Sequence, residues 1–201
     1  IDTQVFEKKN LLKSENKSSK DKRQTIGLIS RLGTGKGLNI FIASKIAINN
    51  QLPELNRKIR FSIILPQNQI NSLPQNLKQE LNNLEINLIP YKKNVIDIYK
   101  KLDIIVHPST YYEGLSRVLL EAGSLEIPII TCSNRGITDL IPNNEYAYLI
   151  DTPPSPIQLA LAINNVIKDT EIAKKRSSKL RERIRKYFSL EIASKRFLEQ
   201  I

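Results

Sequence analysis

Two short segments hold the residue types that recognise an anionic, hydroxyl-rich molecule. The first, SRLGTGKG at residues 30–37, closes an apolar run and carries Gly33, Gly35 and Gly37. Glycines let backbone N–H groups approach a ligand, and a helix starting here adds the positive end of its dipole. Arg31 and Lys36 flank the loop, so a bidentate guanidinium and a mobile ammonium can reach one diphosphate. The loop is not a Walker A motif, because Ser30 stands where the first glycine is required and Gly37 where Ser or Thr must bind magnesium. Nor is it GxGxxG. Taken alone, it fits an ordinary glycine-rich strand-to-helix turn with solvated charges as well as it fits an anion site.

The second segment, HPSTYYEGLSRVLLEAGSLEIPII, enters a helix at about Leu115. At about 100° per residue, Leu115, Val118, Leu119, Ala122 and Leu125 share a core face, with Glu121 at its border. Glu113 and Gly114 precede the helix. The Glu113 carboxylate and the N–H groups of Gly114, Leu115 and Ser116 together suit a polyhydroxylated, negatively charged ligand. The plainer alternative makes Glu113 a helix cap and Glu121 a solvated surface residue.

Alternating elements carry these segments. Strands are expected at about 25–30, 60–65 and 85–89, at KLDIIVHP ending near His107, and at IPIIT and AYLI. Helices are expected at about 36–50, 74–83, 95–101, 115–125, 156–168, 170–187 and 190–200, with a short turn near 136–141. Pro156 suits a first helical turn and Ser189 an N-cap. Alternation of this kind means βαβ units, and short apolar strands are usually buried on both faces. The expected fold is α/β: a doubly wound, Rossmann-like parallel sheet that binds ligands beyond the carboxyl ends of its strands.

Composition narrows the function classes. The chain has 201 residues and a formal charge of +11. Residues 1–24 hold 7 Lys/Arg against 4 Asp/Glu and residues 168–201 hold 11 against 5, so the excess lies at the ends. No basic and aromatic interleaving is present, which disfavours nucleic acid. A basic edge facing anionic lipid head groups, giving peripheral membrane contact, and plain solvated helix faces both remain open readings. No segment has the length or apolarity of a membrane span. Cys132 is the only cysteine, which points to a reducing, cytoplasmic compartment and a buried thiol. His107 is the only histidine and is given no leading role. No metal ligand set, cofactor motif or nucleophile–base pair is visible.

The spacing Glu113-x7-Glu121 within PSxxxEGLxRVLLEA resembles the signature of glycosyltransferase family 4, whose members have the GT-B fold. Further segments follow in the order such enzymes show: IDTQVF, SRLGTGKG, PYKKNVIDIYKKLDIIVHPS, IPIITCSNRGITDLI and FSLEIASKRFLEQ. The resemblance covers nearly the whole chain and implies the C-terminal, nucleotide-sugar-binding half of a retaining enzyme. It implies that Arg31 and Lys36 neutralise a diphosphate with Gly33 and Gly35 beside them, that Glu113 binds hydroxyls of the transferred sugar, and that Glu121 holds the ribose. It also places Gly114, Leu115, Ser116 and Arg117 against sugar and diphosphate, and the loop from Pro90 to Val95, including Tyr91, against the base. Departures from the pattern are Pro66 and Glu126 where glycine is common, Asn94 where Asp is common and Asp139 where Glu is common. Residues 1–24 then read as a linker from an absent acceptor domain, 25–168 as the donor domain, and 169–201 as helices returning toward the absent domain. Such a chain binds donor but transfers nothing alone. A GT-B sugar-nucleotide epimerase and a noncatalytic nucleotide-sugar-binding module are the alternatives.

Overall fold

The computed structural model describes residues 1–11, 23–111 and 114–199. The first half contributes β1 (Gln24–Ile29), α1 (Leu38–Gln51), α2 (Pro53–Asn56), β2 (Ile59–Leu65), α3 (Gln67–Asn71), α4 (Gln75–Asn83) and β3 (Ile86–Pro90). The second contributes α5 (Ile96–Tyr99), β4 (Ile104–His107), α6 (Arg117–Ser124), β5 (Ile129–Cys132), α7 (Ile137–Leu140) and β6 (Tyr148–Ile150). Three helices close the chain: α8 (Pro156–Lys168), α9 (Thr170–Tyr187) and α10 (Leu190–Leu198).

The strands form one six-stranded sheet in the order β3-β2-β1-β4-β5-β6, with every adjacent pair parallel. Period-two alternation divides their side chains between two apolar layers. Ile26, Leu28, Phe61, Ile63, Ile104 and Val106 face one layer, with Phe41 and Ile48 of α1 and Leu159 and Ile163 of α8. Ile29, Ile64 and Ile105 face the other, with Leu119 and Ala122 of α6 and Leu180 and Ile184 of α9. The doubly wound expectation is thus met. The order reverses between β1 and β4, so the loops after these strands part to opposite faces and leave a crevice at the sheet's carboxyl rim.

Local chemistry sets several helix ends. Ser155 and Gln158 form a reciprocal capping box around Pro156 at the start of α8. Ser189 accepts the Ile192 N–H at the start of α10. Helix α6 ends in a Schellman motif, in which the Glu126 N–H bonds Gly123 O at 3.1 Å and the Ile127 N–H bonds Ala122 O at 3.0 Å. Glu126 takes the left-handed position, with φ 56°, where glycine is usual. Its carboxylate receives Lys8 and Arg181, each at 2.6 Å.

The structure departs from expectation in two places. Helix α6 starts at Arg117, not at about Leu115, because Ser116 has extended dihedrals and holds the N-cap position; Leu115 is 46% exposed and does not belong to the core face. The short helices α2 and α3 have too few residues to show periodicity and are absent from the sequence reading. Residues 1–11 of the segment read as a linker pack on the domain, with Phe6 in the second apolar layer and Ile1 and Leu11 against it. Residues 12–22 of that segment lie outside the described residues, and its last residue, Gln24, opens β1.

Candidate functional site

The crevice at the strand-order reversal is a cleft of about 620 Å³. Its floor comes from the ends of the strands: Ile29 and Ser30 after β1, Pro66 after β2, Tyr91 after β3 and His107 closing β4. Arg31 and Lys36 form one wall, and Gly114, Leu115, Ser116, Arg117, Val118 and Glu121 form the other. Two segments more than seventy residues apart therefore face one space, as the sequence requires if they serve one ligand.

The first wall is the loop from Ser30 to Gly37. Gly37 has φ 79° and caps α1, accepting the Phe41 N–H at 3.0 Å. A Cβ on Gly37 would stand 2.6 Å from Pro108 O, so this position needs glycine twice over. Gly35 has φ 73° and lies under Tyr111. Its carbonyl accepts the Thr110 N–H at 2.9 Å and the Ser109 hydroxyl at 3.3 Å. From the other side, Gln69 of α3 accepts the Leu32 N–H at 2.8 Å. The glycines thus bring the β1–α1 loop against the loop after β4.

The second wall leads into α6, whose hydrogen-bond ladder begins with Leu120 N–H to Ser116 O at 3.0 Å. The N–H groups of the preceding turn point along the helix axis at the cleft end and carry the positive end of the dipole. Asn134 holds the incoming loop by donating to Ser109 O at 2.7 Å and Tyr111 O at 2.9 Å. Glu121 lies one helical turn past Arg117 and is 4% exposed. It lines the cleft from the border of the core face and, unlike the solvated alternative, accepts the Tyr99 hydroxyl at 2.8 Å and the Arg117 guanidinium at 3.4 Å. Burial and then the nearby Glu121 charge raise the pKa of Tyr91, and Arg117 and Arg31 partly oppose them, so these groups share one electrostatic field.

Of the residues singled out from sequence, Arg31, Lys36, Tyr91, Gly114, Leu115, Ser116, Arg117 and Glu121 meet in the cleft. Gly33, Gly35 and Val95 do not line it: Gly35 is covered by Tyr111, and Val95 packs in the second apolar layer while its carbonyl starts α5. Glu113 lies outside the described residues. Sequence reasoning missed His107 and Pro66 as lining groups and Tyr99 as the partner of Glu121. Placement of His107 and Pro66 at strand ends was the available signal. For Tyr99 only proximity in the fold reveals the role. Among the described residues no three or more His, Cys, Asp or Glu stand together as a metal site, and no helix is long and apolar enough to cross a membrane.

A six-stranded parallel sheet with a cleft lined by Arg31, Lys36 and the start of α6 at its order reversal defines a Rossmann-like α/β domain. The chain belongs to the family of glycosyl transferases group 1, whose model matches residues 10–187. It is 26% identical over 169 residues to the capsular polysaccharide biosynthesis glycosyltransferase CapM of Staphylococcus aureus, covering 83% of this chain and 43% of CapM. Its fold is similar to that of HepE from Anabaena, solved in complex with UDP and glucose, with a TM-score of 0.81 at 19% identity over 100% of this chain and 54% of HepE. It is also similar to the C-terminal domain of the group 1 glycosyl transferase family protein LpcC from Francisella tularensis, with a TM-score of 0.71 at 22% identity over 94% of this chain and 99% of that domain. The sheet and its helices are those of GT-B glycosyltransferases. The chain spans about half the length of the full-length relatives it matches.

Proposed function

We propose that this chain is the donor-binding half of a retaining glycosyltransferase of family 4, moving a sugar from a nucleoside diphosphate to a glycan or lipid-linked acceptor. The observation that carries this reading is the meeting of Arg31, Lys36, the α6 N-terminus and the buried Glu121 carboxylate in one cleft. Cationic side chains and helix-end N–H groups suit a diphosphate, and a buried carboxylate suits hydroxyl donors. The UDP and glucose held by HepE support the ligand class, and the role of CapM in capsular polysaccharide biosynthesis supports a surface-glycan acceptor. The LpcC match and the half-length coverage support a C-terminal position beside a separate acceptor domain.

The chemical difficulty in such a transfer is the negative charge that grows on the departing diphosphate. Donors fixed in advance stabilise it without reorganising during the reaction. Arg31 offers paired N–H groups in a plane, Lys36 a mobile point charge, and the first turn of α6 N–H groups that have no intrahelical partner. Glu121 binds the ribose in this scheme, Tyr91 lies against the base, and Glu113 holds hydroxyls of the sugar.

Binding titrations with nucleoside diphosphates and the matching nucleosides test the reading. Replacing Arg31 or Lys36 with Ala removes a charged hydrogen bond worth about 1.5–3 kcal/mol, so diphosphate affinity falls roughly 10- to 100-fold while nucleoside affinity changes little. Equal losses for both ligand classes would remove the diphosphate role.

A further inference from the structure

The Glu121 carboxylate is held from below by a side chain that does not touch the cleft. Tyr99 ends α5, is 0% exposed, and is absent from the cleft lining. Its hydroxyl donates to Glu121 Oε2 at 2.8 Å, whereas Val118 O lies at 3.4 Å. A phenol has one proton, and the shorter, charge-assisted contact takes it. Arg117 reaches the other oxygen, Oε1, at 3.4 Å from a side chain that is 86% exposed, so water screens that contact strongly. Among the described residues, Tyr99 and Arg117 supply the side-chain donors to this carboxylate.

The two contacts have different consequences. A carboxylate is planar, so pinning Oε2 to a ring that is packed on every side fixes the direction of Oε1 as well. The Arg117 contact, long and solvent-facing, is one that an incoming hydroxyl joins or replaces. Burial, then the charge and hydrogen bond of Glu121, hold the Tyr99 phenol well above its ordinary pKa, so it stays a donor across the accessible pH range. Core packing alone does not require that hydroxyl, since Phe fills nearly the same volume.

We propose that Tyr99 is a positioning residue which, through its hydroxyl, aims the Glu121 carboxylate at the ribose hydroxyls of a bound nucleotide. The inference rests on the nucleotide-sugar reading above and adds to it the group that orients its ribose contact.

The test separates orientation from packing. Tyr99→Phe keeps the ring and removes one oxygen. Affinities of the chain and of this variant are measured by calorimetry for UDP, GDP and ADP, and then for the 2′,3′-dideoxy form of whichever binds. The expected result is about tenfold weaker binding of the ribonucleotide, the scale of one lost hydrogen bond to a charged group, with the dideoxy form changed less than about twofold. In a Glu121→Ala background, which removes the acceptor, the Tyr99→Phe change should add nothing, and 4-aminophenylalanine at position 99, which restores a donor, should recover ribose selectivity. Equal weakening of both ligands, the outcome of a packing role, would overturn the proposal, as would unchanged binding of both. If the unsubstituted chain bound none of the three diphosphates, the nucleotide reading would fall and this inference with it. Failure of the inference alone is therefore recognisable.

Discussion

The three glycines of the β1–α1 loop look equivalent in sequence, and the structure makes them unequal. At Gly37 an added Cβ meets a left-handed backbone, φ 79°, and stands 2.5 Å from Pro108 Cγ and 2.6 Å from Pro108 O. The dihedral costs an L residue about 1–2 kcal/mol. A clash with backbone, which cannot swing aside, adds roughly 1–3 kcal/mol. Gly37→Ala should therefore destabilise the fold by about 3 kcal/mol, or roughly 6–12 °C in melting temperature for a chain of this size. At Gly35 the dihedral is similar, φ 73°, but the nearest atoms, from 2.0 Å, belong to the Tyr111 ring, a side chain that is 55% exposed, and not to backbone. Dihedral strain then dominates, and Gly35→Ala should cost about 1 kcal/mol. At Gly33 the nearest atom is Lys36 Cγ at 3.7 Å and no left-handed dihedral is present. Gly33→Ala should be neutral or slightly stabilising, by up to about 0.5 kcal/mol through the unfolded chain's lost freedom. Calorimetric melting of the four ligand-free proteins measures the series. A Gly33 variant as unstable as the Gly37 variant would refute the reasoning, because it would mean that packing between the two loops is not what selects glycine there.

The remaining predictions concern titratable groups. Burial alone would raise the Glu126 pKa, but hydrogen bonds from Lys8 and Arg181 outweigh it and hold the group below 4.5. A lowered folded-state pKa stabilises fully above the unfolded value and is lost as pH falls through the folded value. Glu126→Gln should accordingly cost about 1 kcal/mol in urea unfolding at neutral pH, with the difference from the parent shrinking below pH 4.5; a pH-independent difference would contradict the pairing. Burial pushes the Cys132 thiol up to about 11, with a smaller opposing effect from Thr152. Near pH 8 the native thiol should resist a disulfide exchange reagent and react only on unfolding, and rapid modification of folded protein would show the site to be open.

How much of this was legible beforehand depended on the range of the interaction. Strand positions follow from runs such as IRFSIIL and KLDIIVH, because burial on both faces demands continuous apolar sequence, and the six expected strands are the six in the sheet. Glycine and charge spacing revealed the first wall. Leu115 misled because helical periodicity was carried past the start of α6, where Ser116 takes extended dihedrals and its side chain makes no capping hydrogen bond. Glu121 read as a border residue able to line a cleft, and it does; its partner, a tyrosine 22 positions earlier, was not legible because no local pattern encodes that pairing. Glu126 shows the reverse case. Its departure from glycine was visible in sequence, while the two cations that hold a left-handed glutamate in place were not.

Contact between the two cleft loops also bears on the entropy of the binding proposed above. Gly35 O ties to Thr110 and Ser109, Gly37 presses on Pro108, and Asn134 clasps the carbonyls of Ser109 and Tyr111. The tied portions of these loops are ordered together when the chain folds, before any ligand arrives. Preorganised binding sites lose less configurational freedom on association than loose ones. The same cross-ties make the inner surfaces of these loops a single shape, so a change in ring size or charge spacing in a ligand cannot be absorbed by one loop moving alone. In the binding proposed above, selectivity then resides in the fit to a fixed outline.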